Sequence, residues 1–162
     1  MDIGGGAGNM IATILSKHAK TRGLLFDLAQ ATTEAPALLR RFGVEDRVTL
    51  QHGSFFEAVP AGGDVYILSH IIHDWDERKS LAILRNCRKA MSETSRLLIV
   101  ELVLRDGSPS GYGSSDISML VLTGGAERTS SEYESLLAKA GLQLTRVIPT
   151  TTSASIIEAR AV

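Results

Sequence analysis

Short apolar blocks alternate with stretches of helical periodicity along this chain, and that alternation sets the first structural expectations. Leu24 to Asp27, Val65 to Leu68, Leu97 to Glu101 and the region of Ile156 to Glu158 are brief, nearly continuous apolar runs. Runs of this kind predict strands buried on both faces of a covered, largely parallel sheet. Between them, Ile83, Leu84, Cys87, Ala90 and Met91 fall on one helical stripe, and Tyr133, Leu136, Leu137 and Ala140 on another. The second stripe carries its own punctuation: Thr129 followed by Glu132 predicts a capping box, and Gly141 a left-handed stop. Ala31 to Arg41 predicts a further helix and Arg47 to Gln51 a further strand. The order is therefore strand, helix, strand, helix almost throughout, which predicts a doubly wound, Rossmann-like α/β sheet. Leu142 to Ile148 and Ser153 to Ala159 are joined only by Pro149 to Thr152, too short for a helical crossover, so the last pair is expected to be antiparallel. Asp106 to Ser115, rich in Gly and Ser with Pro109, predicts a mobile loop.

Composition narrows the class without naming a chemistry. A chain of 162 residues with 44% hydrophobic and 22% charged residues suits one globular domain. Lys plus Arg number 17 against 18 for Asp plus Glu, so no basic excess draws the chain to nucleic acid or to an anionic membrane. Cys87 is the only cysteine and can form no internal disulfide. A reducing, cytoplasmic setting is the default expectation. No apolar run approaches the roughly 18 residues of a bilayer span, and no signal-like arrangement opens the chain. Met1, Asp2 and Ile3 run straight into glycines, whereas a strand usually has about 5 to 6 residues, so the first strand is expected to be clipped.

Candidate chemistry begins in that opening. Asp2, Ile3, Gly4, Gly5, Gly6, Ala7 and Gly8 place glycines at alternate positions after an acidic residue at a strand end. Gly4, Gly6 and Gly8 let the backbone turn sharply and approach a ligand directly, which fits a nucleoside-type cofactor. A dinucleotide fingerprint would put a glycine where Asn9 stands, and this disfavours a nicotinamide cofactor and an oxidoreductase. Asp27, at the end of the next strand and about 20 residues on, has the position and chemistry to accept hydrogen bonds from ribose hydroxyls.

The segment from Asp64 reads DVYILSHIIHDWDERKSLAILRNCRKAM, and VELVL and GGAERTSSEYESLLAKAGL follow. With DIGGGAG, FDL and HGSFF before them, these motifs resemble the plant caffeic-acid-type and bacterial polyketide O-methyltransferases over nearly all of the chain. The resemblance implies residues 1–162 as a catalytic domain that binds S-adenosylmethionine, a small aromatic hydroxyl compound as methyl acceptor, and no metal. It implies His73, of the HDW triplet, as the general base, with Glu101 and Glu127 as the carboxylates that orient it. The chemistry is coherent: a phenol of reference pKa near 10 is a poor nucleophile until it loses its proton, and imidazole, near 6.5, can take it as the new bond forms.

The same resemblance places Leu28 beside Asp27, Phe55 and Trp75 around the cofactor, and Asp116, Met119 and Leu120 at the acceptor pocket. It also implies an upstream helical region that makes the parent protein a homodimer. Two departures stand out. Ser54 occupies the place of an acidic residue that contacts the adenine, and Ser69 the place of a lysine. They leave open a relative that binds the cofactor without methylating. His70, three residues before His73, raises the thought of a metal pair with His73 and Asp74, which no further ligand cluster in the sequence supports.

Overall fold

The computed structural model describes residues 1–105 and 125–162. The expected loop of Asp106 to Ser115 and the expected acceptor residues Asp116, Met119 and Leu120 lie outside them. Among the described residues, β1 (Asp2–Ile3), β2 (Gly23–Asp27), β3 (Val48–His52), β4 (Val65–Ser69), β5 (Arg96–Leu104), β6 (Arg128–Thr129), β7 (Leu142–Pro149) and β8 (Ala154–Ala161) make one sheet. Its order is β3-β2-β1-β4-β5-β8-β7, with β6 beside the end of β5. The strands from β3 to β5 run parallel, and β8 pairs antiparallel with both β5 and β7. The doubly wound architecture and the antiparallel last pair match the expectation.

Leu25 and Phe26 show why both faces need cover, since adjacent strand residues point to opposite sides. Leu25 joins Ile11, Ala12, Leu15, Ala35 and Leu39 under α1 (Asn9–Lys17) and α2 (Ala35–Arg41). Phe26 joins Ile3, Tyr66, Leu68, Leu97 and Ile99 under α3 (Glu77–Ala90) and α4 (Ser130–Lys139). Ile83, Leu84 and Cys87 of α3 and Tyr133 and Leu137 of α4 are fully buried there, each large aliphatic contributing about 1.5–3 kcal/mol. The Thr129 and Glu132 capping box opens α4 and Gly141, at φ +77°, follows its end. Burial pushes the Cys87 thiol up to about 12, so this cysteine is packing, not a nucleophile.

Three boundaries differ from expectation for identifiable reasons. The helix expected from Ala31 starts at Ala35, because Pro36 fits only a first turn and residues 28–34 form turns closed by Ala31 N to Leu28 O and Ala35 N to Thr32 O. The strand expected from Arg47 starts at Val48; Arg47 belongs to a 3-10 turn, Glu45–Arg47, and its guanidinium donates to the carbonyls of Leu15, His18 and Thr21 at the end of α1. Most consequentially, β5 does not end at Glu101. It continues to Leu104, because Glu101 and Leu102 still pair with Ser155 and Ala154, and Val103 and Leu104 pair with β6.

Candidate active site

The sheet order reverses direction of growth between β1 and β4, so the crevice outside the carboxyl ends of these strands is where an open α/β sheet receives ligands. Three glycines shape its floor. Gly4, Gly6 and Gly8 sit at φ +73°, +53° and +83°, a region costly for other residues. A Cβ on Gly4 would lie 2.6 Å from Ile71 Cδ1 and 3.2 Å from Phe55 Cε1, whereas one on Gly6 would meet nothing within 4 Å. Gly4 is thus fixed by packing and Gly6 faces open space. Asp27 holds the loop to β2: Oδ2 accepts from the Gly6 N–H at 2.8 Å and Oδ1 from the Leu28 N–H at 2.7 Å. Each oxygen keeps a lone pair for a further donor.

A cavity of about 400 Å³ follows, lined by Asp2, Gly4, Gly5, Asn9, Ser69 and His70 among others. Asp2 is buried under it. One oxygen accepts from the Ile11 N–H at 3.3 Å and the other has no hydrogen-bond partner. Burial raises the carboxyl to about 6, with the Ile11 N–H pulling it back. A larger cavity, about 520 Å³, lies at the other ends of the strands, lined by Leu15, Leu24, Val65 and Leu98 together with Arg22 and Asp64.

On the far side of β1, the 53–56 turn and the segment after β4 meet. Phe55, Phe56 and Trp75 pack edge to face, with centroids 4.9 Å apart for Phe55–Phe56 and for Phe56–Trp75, and Lys79 Nζ stands 4.8 Å from the Trp75 ring. Asn86 of α3 secures the turn by donating to the carbonyls of Phe55 and Phe56. The Ser54 hydroxyl accepts from the Phe56 N–H at 3.3 Å, and Leu28 stands exposed beside Asp27.

The structure brings His73, Glu101 and Glu127 together. His73 lies in a 3-10 turn, Ile72–Asp74, that follows β4. Its Nδ1 is 3.3 Å from Glu127 Oε1, in hydrogen-bonding geometry, and 3.2 Å from Glu101 Oε2. Its Nε2 is 3.6 Å from Asp74 Oδ1. Glu101 is fully buried in the interior of β5, and its Oε1 accepts the N–H groups of Ile71 and Ile72 at 3.0 Å and of His73 at 3.4 Å. One carboxylate thereby positions both the backbone and the ring of His73. Burial raises Glu101 to about 7, opposed by His73 and its backbone N–H and assisted by the nearby Glu127.

Sequence reasoning missed the residue that closes this arrangement. Arg128 is buried, and its guanidinium donates to the carbonyls of Ile72, Ala126 and Trp75 at 3.1, 3.1 and 2.9 Å and reaches Ser80 Oγ at 3.4 Å. It ties the segment carrying Glu127 to the turn carrying His73. Gly125 is pressed against that turn, since a Cβ there would stand 1.8 Å from the His73 carbonyl oxygen. An arginine beside a glutamate in a short glycine turn, Gly125 to Thr129, is the sequence signal that could have pointed to such a role.

Comparison with known proteins agrees with the fold. A family model described as an O-methyltransferase domain matches residues 1–143. The phenazine O-methyltransferase of Lysobacter antibioticus is 48% identical over 161 residues, which cover 99% of this chain and 47% of that protein. The mitomycin 7-O-methyltransferase structure superposes at a TM-score of 0.94 with 38% identity, covering 99% of this chain and 48% of that one. An O-methyltransferase from neocarzinostatin biosynthesis, solved with S-adenosylmethionine and 2-hydroxy-5-methyl naphthoic acid, gives 0.90 with 34% identity, again covering 99% and 48%. The chain spans about half the length of these relatives. With most of its length matched by the family model and its fold shared at these identities, the chain belongs to the O-methyltransferase domain family.

Proposed function

We propose that this chain is the S-adenosylmethionine-binding part of an enzyme that methylates a hydroxyl group on a small aromatic molecule, with His73 as general base. The observation that carries the reading is the imidazole of His73 with its Nδ1 between two buried carboxylates, at 3.2 and 3.3 Å.

The glycine crevice fits the cofactor on its own terms. Gly6 leaves open space where a ligand backbone can approach, Asp27 keeps lone pairs for ribose hydroxyls, and Asp2 presents a buried carboxylate oxygen without a partner. Leu28, Ser54, Phe55, Ser69 and Trp75 would surround the remainder, with Ser54 supplying a neutral contact where the resemblance implies an acidic one. When bound, the cofactor supplies a methyl group made electrophilic by its sulfonium.

The residues of this chain do the rest by handling one proton. Donation from Nδ1–H to Glu127 fixes the tautomer with a lone pair on Nε2. Nε2 takes the acceptor's hydroxyl proton as oxygen attacks, and the imidazolium that forms is stabilised by Glu101 and Glu127. Glu101 also holds three successive N–H groups, so the ring starts from a fixed backbone. Proton transfer of this kind needs no metal.

The test is His73→Ala in the full-length protein that carries this chain, assayed with labelled cofactor against a panel of phenols. Transfer is expected to fall by about a hundredfold or more, with cofactor affinity unchanged by calorimetry. Undiminished turnover in that variant would refute the base assignment.

A further inference from the structure

His70 is the one histidine near the site for which the proposed reaction has no use, and its placement is unusual. It is the only non-glycine residue at positive φ among the described residues, at φ +54°. Its N–H donates to the Val100 carbonyl at 3.1 Å, which holds this conformation. Its side chain is 59% exposed, at the rim of the glycine cavity, yet its Nδ1 points inward to 3.9 Å from Glu101 Oε2. The same oxygen faces His73 Nδ1 at 3.2 Å and, although fully buried, has no hydrogen-bond partner. Two imidazole nitrogens and one carboxylate oxygen therefore converge, all within 4.8 Å of one another.

We propose that His70, His73 and Glu101 form a site for a zinc-class divalent ion, and that occupation of this site switches off the base. Tetrahedral coordination with Zn–N and Zn–O bonds of about 2.0–2.2 Å sets ligand atoms roughly 3.3 Å apart. The two pairs measured from Glu101 Oε2 bracket that spacing, and the exposed His70 ring is free to swing through the difference. Two imidazoles and a carboxylate are donors that suit zinc. Glu101 is already oriented for the task, because its other oxygen is held by three backbone N–H groups. The exposed edge of His70, on the lining of the cavity, gives the ion its entry.

The consequence follows from tautomers. An ion on Nδ1 needs the lone pair there, so the single proton of the neutral ring moves from Nδ1, where it bonds to Glu127, to Nε2. Nε2, the nitrogen that would have to accept a proton from the substrate, then already carries one. The ion therefore inhibits without filling the acceptor pocket. This consequence, though not the site itself, rests on His73 being the base.

Zinc titration of the chain by calorimetry, with cobalt as the visible-spectrum probe, tests the site directly. One equivalent should bind, with the intense bands of four-coordinate cobalt. His70→Asn, chosen because asparagine tolerates positive φ, should weaken zinc binding by at least about a hundredfold, the upper end of what losing even an outer-sphere partner costs. His18→Asn, which removes an exposed histidine elsewhere, should change nothing. Nitrogen-15 spectra of the imidazoles should show zinc on Nδ1 and hydrogen on Nε2 of His73. Absence of stoichiometric binding, or binding that His70→Asn leaves intact, overturns the proposal. In the full-length protein the zinc concentration that halves each variant's own uninhibited rate should rise in His70→Asn. Ligation seen in the spectra with transfer unimpaired would uphold the site and refute the base assignment instead.

Discussion

Replacing Glu101 by Gln keeps the size and shape of the side chain while removing its charge, and the geometry says where the two terminal atoms of the amide must go. Oε1 accepts from Ile71, Ile72 and His73 N–H groups, so the new side chain must keep its carbonyl oxygen there. Its NH₂ then takes the place of Oε2, 3.2 Å from His73 Nδ1. A donor facing that nitrogen favours the tautomer with the proton on Nε2, which is the wrong one for a base. The imidazolium also loses an ionic partner: at 3.2 Å and an effective dielectric constant near 20, the pair is worth about 5 kcal/mol. Glu127, at 3.3 Å, retains part of that. The expected loss of methyl transfer is therefore about 10²–10⁴-fold, the range of a disabled general base. The measurement is single-turnover transfer by the full-length protein, made above pH 8 because Glu101 ionises near 7. Cofactor affinity and melting temperature should stay close to wild type, since the three backbone bonds survive. A variant that transfers methyl within a few fold of wild type would refute the reasoning, and with it the idea that Glu101 acts through His73.

Three further outcomes are expected. Arg128→Met removes the charged donor to the carbonyls of Ile72, Ala126 and Trp75, leaving Ile72 only the Trp75 N–H and Ser80 Oγ and Trp75 only Ser80 Oγ, which should cost about 3 kcal/mol in urea unfolding, while Arg128→Lys should recover only part of it. Gly125→Ala cannot fit a methyl 1.8 Å from the His73 carbonyl without moving the turn, so transfer should drop by more than tenfold, with cofactor affinity, read by calorimetry, unaffected. Asp2 is raised from 3.8 to about 6 by burial, so the folded chain holds this proton more tightly than the unfolded one and the carboxylate's ionisation opposes folding. The stability of Asp2→Asn relative to wild type should accordingly be near zero at pH 4, grow between pH 4 and 6, and level off above 6 at about 3 kcal/mol. Matched urea titrations across that range read it; a difference that shrinks as pH rises would contradict the sign.

What was legible in the sequence and what was not divides by the range of the interactions. The capping box of Thr129 and Glu132, the stop at Gly141 and the left-handed glycines at 4, 6 and 8 are local, and each carries its signature within a few residues. His73, Glu101 and Glu127 were found through motif resemblance; no spacing rule brings residues 73, 101 and 127 to one nitrogen. Glu101 shows the difference well. Its position after an apolar run reads as a strand end, because a charged residue seldom lies inside a buried strand. The strand nevertheless continues, since the carboxylate has a use there: its oxygens satisfy three N–H groups of a turn that follows β4 and face the ring of His73. Arg128 was missed for the complementary reason. Its partners are backbone carbonyls, two of them 56 and 53 residues away, and a carbonyl has the same identity at every position. The positive φ of His70 likewise accompanies a long-range bond, from its N–H to the Val100 carbonyl of β5. In this chain the groups proposed to do chemistry are legible through motifs, while the groups that aim them are specified only once the sheet has closed. The loss expected in Gly125→Ala, a residue with no side chain and no chemistry, would be the most direct measure of how far catalysis here depends on aim.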